Sequence, residues 1–132
     1  MVNGNNNVTV MSNSGAFLSG PNGYTGGGLG TPLAIAMDGS GKAWIANSEP
    51  GVNSVTEISS TGTFLSGPNG YTGGGLNFPG AIAVDGSGNV WVINENTMTE
   101  MVGIGTPVIT PIAAGLPVIP TKDGTSNLGT RP

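Results

Sequence analysis

The chain has 132 residues, with seven acids against three bases and a formal net charge of −4, so it lacks the basic footprint that nucleic-acid binding requires. It contains no cysteine and no histidine, which removes a disulfide scaffold, a thiolate metal site and the commonest general base and metal ligand together. Charge is sparse and there are 25 glycines, yet the apolar residues are patterned, unlike those of a disordered low-complexity chain.

In chain order, residues 1–7 form a polar Asn/Gly lead with neither the basic start nor the apolar core of a secretory signal. Residues 8–11 read as a short strand, 13–15 as a turn and 16–19 as a second strand. Gly20-Pro21-Asn22-Gly23 is turn chemistry, because proline fixes one φ angle while Asn and Gly accept the positive φ that follows. Tyr24 and Thr25 lead into a triple glycine, Gly26-Gly27-Gly28. Residues 33–37 and 43–47 alternate as strands joined by an Asp38-Gly39-Ser40-Gly41 hairpin turn. After a loop at 48–53, residues 54–58 form a third strand and 63–66 a fourth. The same order returns as strands at 81–84, 90–94 and 98–102. Residues 107–120 contain too many prolines for a helix or a membrane span and read as extended chain. No helix is expected anywhere.

The repetition is the dominant signal. GAFLSGPNGYTGGGL at 15–29 returns as GTFLSGPNGYTGGGL at 62–76, and Trp44 returns as Trp91, 47 residues on. A period in the forties, four short strands per period and a D-G-S-G hairpin followed by Trp describe an all-β, β-propeller-type blade of four antiparallel strands. The expected organisation is an N-terminal lead and half-blade (1–19), blade one (20–66), blade two (67–106) and an extended Pro-rich C-terminal tail (107–132).

PLAIAMDGSGKAWIAN and PGAIAVDGSGNVWVIN resemble the blade signature of NHL-repeat bacterial β-propellers, the group that includes virginiamycin B lyase-like proteins. MVGIGTPVITPIAAGL resembles the ending of some secreted members. The resemblance implies a partial propeller and an extracellular or cell-surface location. It transfers no catalytic residue, since the lyases' chemistry depends on histidine. Members of that group carry about six or seven blades, and this chain holds about two and a half.

A short array leaves two apolar faces bare, and repeat arrays generally need at least three units. At about 25 cal/mol per Å² of exposed apolar surface, the loss is several kcal/mol per face. The sequence therefore points to a non-enzymatic structural protein completed by self-association, as a ring or a filament, with 8–19 or 107–119 as segments that could complete a neighbour's blade. The alternatives are a carbohydrate- or protein-binding propeller and the C-terminal fragment of a larger secreted NHL-repeat protein.

Individual residues narrow the chemistry little. Each D-G-S-G turn has one acid, too few for calcium, so no metal or cofactor is expected. The triple glycines lack the Lys and helix of a phosphate loop and read as flexible or tightly packed connections between blades. Trp44 and Trp91 belong to packing between blades. Tyr24 and Tyr71, placed in loops, are the candidates for an exposed ligand or interface platform. Glu57 and Glu100 stand at equivalent positions on solvated strand faces. Asn7-Val8-Thr9 is a glycosylation sequon.

Overall fold

Each aspartate of a D-G-S-G turn can bond the backbone of its own hairpin, and alternating Ala/Ile/Val/Trp runs flank it, so two hairpins are fixed locally. A computed structural model of the protein, describing residues 1–108, shows how they stack. The described residues contain no helix and ten strands: β1 (Val2–Asn3), β2 (Asn7–Val8), β3 (Tyr24–Thr25), β4 (Pro32–Met37), β5 (Ala43–Asn47), β6 (Ser54–Ile58), β7 (Tyr71–Thr72), β8 (Ala81–Val84), β9 (Val90–Ile93) and β10 (Met98–Met101). All pairings are antiparallel. They form three open sheets in the orders β1-β2-β3, β4-β5-β6-β7 and β8-β9-β10. The fold is all-β and partial propeller-like, and β4 lies beside β8 where the second and third sheets meet.

Two cores join the three sheets. Val8 of sheet one meets Ile45 and Ile58 of sheet two, with Val2, Val10, Ile35 and Phe64 around them. Trp44 and Val55 on the other face of sheet two meet Val90 and Val92 of sheet three, with Tyr71, Ile82, Val84 and Met101 around them. Period-2 alternation along β5 thus sends Trp44 to one neighbour and Ile45 to the other, so the central sheet is buried on both faces.

The structure departs from the sequence reading at the N-terminus and at the outer edge. The Asn-rich lead is not strandless: Val2 pairs with Val8 and Asn3 with Asn7. The pairing holds because Val2 packs into the core while Asn3 Nδ2 donates to Asn7 Oδ1 (2.6 Å) and Thr9 Oγ1 (2.7 Å). Sheet one therefore has three strands rather than the last two of a blade.

The expected outer strands at 16–19 and 63–66 hold only single bridges, Met11 to Phe17 and Ile58 to Phe64. Leu65 N donates to Glu57 O, and the next acceptor that Glu57 N meets is Ser66 Oγ, at 2.9 Å, not a backbone carbonyl. The chain then leaves the ladder through 67–70 and returns as β7, where Tyr71 pairs with Val55. Sheet one repeats this with Leu18 N on Val10 O, Val10 N on Ser19 Oγ and Tyr24 opposite Val8. The S-G-P-N-G segment is thus a loop inserted into one outer strand. Sheet three has no fourth strand among the described residues. Of the Pro-rich tail, 109–132 lies outside the described residues.

Candidate functional site

The repeat builds the same junction between sheets twice, and its parts begin with the turns. In the second hairpin Asp85 Oδ1 accepts from the N–H groups of Ser87 (2.8 Å) and Asn89 (2.9 Å), and Oδ2 accepts from Trp91 Nε1 at 2.9 Å. The Trp91 indole N–H first, then the Asn89 N–H, hold the Asp85 carboxyl down to about 2. In the first hairpin Asp38 bonds Ser40 and Lys42 in the same way, and Trp44 Nε1 lies 3.4 Å from Oδ2. Burial opposes its ionisation, but the N–H groups of Thr106, Lys42 and Ser40 and the Ser40 hydroxyl outweigh that and hold it well below the usual carboxylate range. Each aspartate therefore fixes its tryptophan. No group of three or more His, Cys, Asp or Glu side chains occurs together among the described residues.

The segment after β10 returns to these turns. Gly105 N donates to Gly88 O, Gly39 N donates to Thr106 O, and Thr106 N donates to Asp38 Oδ2. It ties the hairpins of sheets two and three together.

The triple glycines form defined, hydrogen-bonded turns. Gly26, Gly27 and Gly28 take φ values of 92°, 60° and 79°, and Gly73, Gly74 and Gly75 take 87°, 59° and 81°. Three successive left-handed residues are accessible only to glycine without strain. The turn presents its carbonyls outward to the next sheet. Thr56 Oγ1 donates to Gly27 O (2.8 Å), Ser54 Oγ donates to Gly28 O (3.1 Å), and Asn47 Nδ2 donates to Thr56 Oγ1 (2.9 Å) while its Oδ1 accepts from Gly30 N (3.3 Å). Thr99, Asn94, Gly74 and Asn77 repeat the arrangement. An Asn–Thr pair on one sheet thus grips the glycine turn that delivers the chain to it.

Glu57 corrects the expectation of a solvated strand face. It is 4% exposed, because sheet three covers the face it stands on. Its Oε1 pairs with Lys42 Nζ at 3.0 Å, and its Oε2 accepts from Tyr71 Oη at 2.7 Å. The Glu57 hydrogen bond is the main cause that raises the Lys42 ammonium pKa. Burial, then the Glu57 carboxylate, push the Tyr71 phenol up to about 12. The Tyr71 ring stacks on Trp44 with centroids 6.1 Å apart. Glu100, its repeat partner, is exposed.

These pairings define two kinds of face. The tryptophan face carries Trp44, Val55, Glu57 and Tyr71 on sheet two. The threonine face carries Ile45, Thr56, Ile58 and Phe64. Each internal junction sets a tryptophan-type face against a threonine-type face. Among the described residues, one of each kind is left uncovered. On sheet three Trp91 is half-buried, Ile93 is 49% exposed and Met98 is 59% exposed. On sheet one Phe17 is 64% exposed and Met11, which also lines the cleft between sheets one and two, is 50% exposed, and a separate recess is lined by Asn3, Asn7 and Thr9.

Among the sequence candidates, Tyr71 lies in β7 rather than a loop and is committed to Trp44 and Glu57. Tyr24 lies in β3, half-buried, and lines a cleft between sheets one and two. Asn7 lies in β2 on the open face of sheet one, bonded to Asn3. The structure brings Tyr71 and Glu57 together and leaves Tyr24 and Asn7 apart from them. The Glu57 cluster, the grip and the cleft were missed from sequence; the Asn-Gly-rich spacing carried no signal for them, although recurrence of Asn47 and Thr56 as Asn94 and Thr99 marks the grip in retrospect. No helix among the described residues is long and apolar enough to cross a membrane. No family model matches the chain, and no curated protein matches it.

Proposed function

We propose that the protein is a non-enzymatic, extracellular assembly module that associates head to tail, the open tryptophan-type face of sheet three on one copy meeting the open threonine-type face of sheet one on the next. The observation that carries this reading is that the two open faces are of opposite kinds, and the chain's own two junctions are both made from one of each. Residues exposed at the ends have buried counterparts inside. Met98 corresponds to Val55, which is 0% exposed, and Met11 corresponds to Ile58, which is 2% exposed. A heterologous contact of this kind closes into a ring or propagates as a filament, depending on its rotation. The outer edges of β10 and β1, without a strand partner among the described residues, add backbone groups available for pairing.

The test uses one variant per face. Met98→Glu blocks the tryptophan-type face and Phe17→Glu the threonine-type face, since an unpaired charge in a packed sheet junction is strongly unfavourable. Each variant alone is expected to be a monomer, while an equimolar mixture forms a dimer through the two intact faces. A mixture that stays monomeric would refute the head-to-tail arrangement.

A further inference from the structure

Sheets one and two turn into their outer strands by the same three backbone bonds. In sheet two Ser59 N donates to Thr63 O, Gly62 N to Ser59 O and Leu65 N to Glu57 O; in sheet one Ser12 N donates to Ala16 O, Gly15 N to Ser12 O and Leu18 N to Val10 O. The turn holds a left-handed glycine, Gly15 at φ 85° and Gly62 at φ 89°, a conformation that glycine adopts without strain. Ala43 pairs with Ile58 as Val90 pairs with Met101. The equivalents of Glu57, Ser59, Gly62, Thr63 and Leu65 in sheet three are therefore Glu100, Val102, Gly105, Thr106 and Val108, and Gly105-Thr106 repeats Gly62-Thr63 at the turn itself.

Sheet three does not make this turn. Gly105 is outside the left-handed region, and the segment runs to the two hairpins instead. There Gly105 N donates to Gly88 O (2.9 Å), Thr106 O accepts from Gly39 N (3.0 Å) and Thr106 N donates to Asp38 Oδ2 (3.0 Å). Among the described residues the N–H groups of Val102 and Val108 have no backbone acceptor. Pro107 stands where Phe64 stands in sheet two, and none of the three bonds of the turn uses the N–H at that position.

We infer that residues 102–108 are a strap with two seats: the seat on the hairpins, and a second seat folded back along β10 by the turn that sheets one and two use. In the second seat Val102 N donates to Thr106 O, Gly105 N to Val102 O and Val108 N to Glu100 O. The seats exclude each other, because Gly105 N and Thr106 O serve both and Gly105 must become left-handed to leave the first. The seat on the hairpins fits closely: a Cβ on Gly39 would overlap Pro107 O, and one on Gly88 would overlap Gly105 O. Folding back covers the outer edge of β10, and an uncovered strand edge is a template for pairing with another chain. The strap therefore governs whether β10 offers that edge. Its consequence for association rests on the head-to-tail reading; the exchange between seats takes place within one chain.

The experiment is amide hydrogen exchange read by NMR, with every variant made on the Phe17→Glu chain so that protection of β10 cannot come from a neighbouring copy. Gly39→Ala evicts the strap through the overlap with Pro107 O, at an exposed glycine outside the left-handed region; at its repeat partner Gly86 an added Cβ meets nothing within 4 Å. Gly39→Ala is expected to speed exchange of the Thr106 N–H at least tenfold and to slow exchange of the Val102 and Val108 N–H groups at least tenfold. Gly86→Ala is expected to leave all three unchanged. Adding Gly105→Ala to Gly39→Ala is expected to remove the slowing, because the turn needs a left-handed residue at 105. Faster exchange at Thr106 with no slowing at Val102 and Val108 would overturn the inference, since the strap would then have one seat. So would slowing that survives Gly105→Ala, or a Gly39→Ala chain in which all three amides exchange as in its parent.

Discussion

The left-handed glycine turn is tested best by substituting Ala at Gly27 and, separately, at its repeat partner Gly74. Their φ values are nearly the same, 60° and 59°, so each substitution carries the same backbone penalty, about 1–2 kcal/mol for a left-handed non-glycine residue. Their surroundings differ. A Cβ on Gly27 would overlap the Phe64 ring, whereas a Cβ on Gly74 would meet Thr99 Cγ2 at 3.5 Å, an ordinary contact. Moving Phe64 out of the core between sheets one and two adds about 1–3 kcal/mol. Gly27→Ala should therefore cost about 2–5 kcal/mol and Gly74→Ala about 1–2 kcal/mol. Urea unfolding followed by tryptophan fluorescence measures both. Equal losses would refute the packing of Phe64 on the turn, and no loss at either site would refute the left-handed turn itself.

Three further outcomes follow from the junctions. Trp44→Ala should cost about 3–5 kcal/mol, as for a fully buried aromatic, while Trp91→Ala, only partly buried, should cost about 1–2 kcal/mol; urea midpoints that fall equally would contradict the distinction between covered and open faces. Asp38 and Asp85 both ionise below their ordinary 3.8, so the folded state binds fewer protons than the unfolded chain under acid conditions. Their contribution is fully present above about pH 4 and is lost as pH falls through about 2 for Asp85 and lower still for Asp38; a urea midpoint unchanged from pH 5 to pH 2 would exclude it. The Tyr71 phenol, pushed up to about 12 from 10.0, adds stability that is present below pH 10 and lost as pH rises through about 12. A late phenolate absorbance step should mark it and should move down in Glu57→Gln, which removes the carboxylate but not the burial; a step that stays in place would separate Tyr71 from Glu57.

How much of this was legible in the sequence depended on whether backbone or neighbours decided it. Strands β4, β5, β6, β8, β9 and β10 followed from alternation and from Asp38 and Asp85, which act within their own hairpins. The outer strand was misread because Ser19 and Ser66 hydroxyls replace backbone acceptors and the chain leaves and rejoins the ladder around S-G-P-N-G, an arrangement with no period. β1 was missed because Asn has poor strand propensity, and only the Val2 packing and the Asn3 bonds recover it. Glu57 and Glu100 share a T-E dipeptide and an environment on their own strands; one is buried and one exposed because a third sheet covers the first.

The central claim, head-to-tail association through unlike faces, is tested most directly by sedimentation velocity of the unmodified chain across a concentration series. The account predicts species at multiples of the 13.0 kDa chain mass that grow with concentration. A single 13.0 kDa species at every concentration would contradict it.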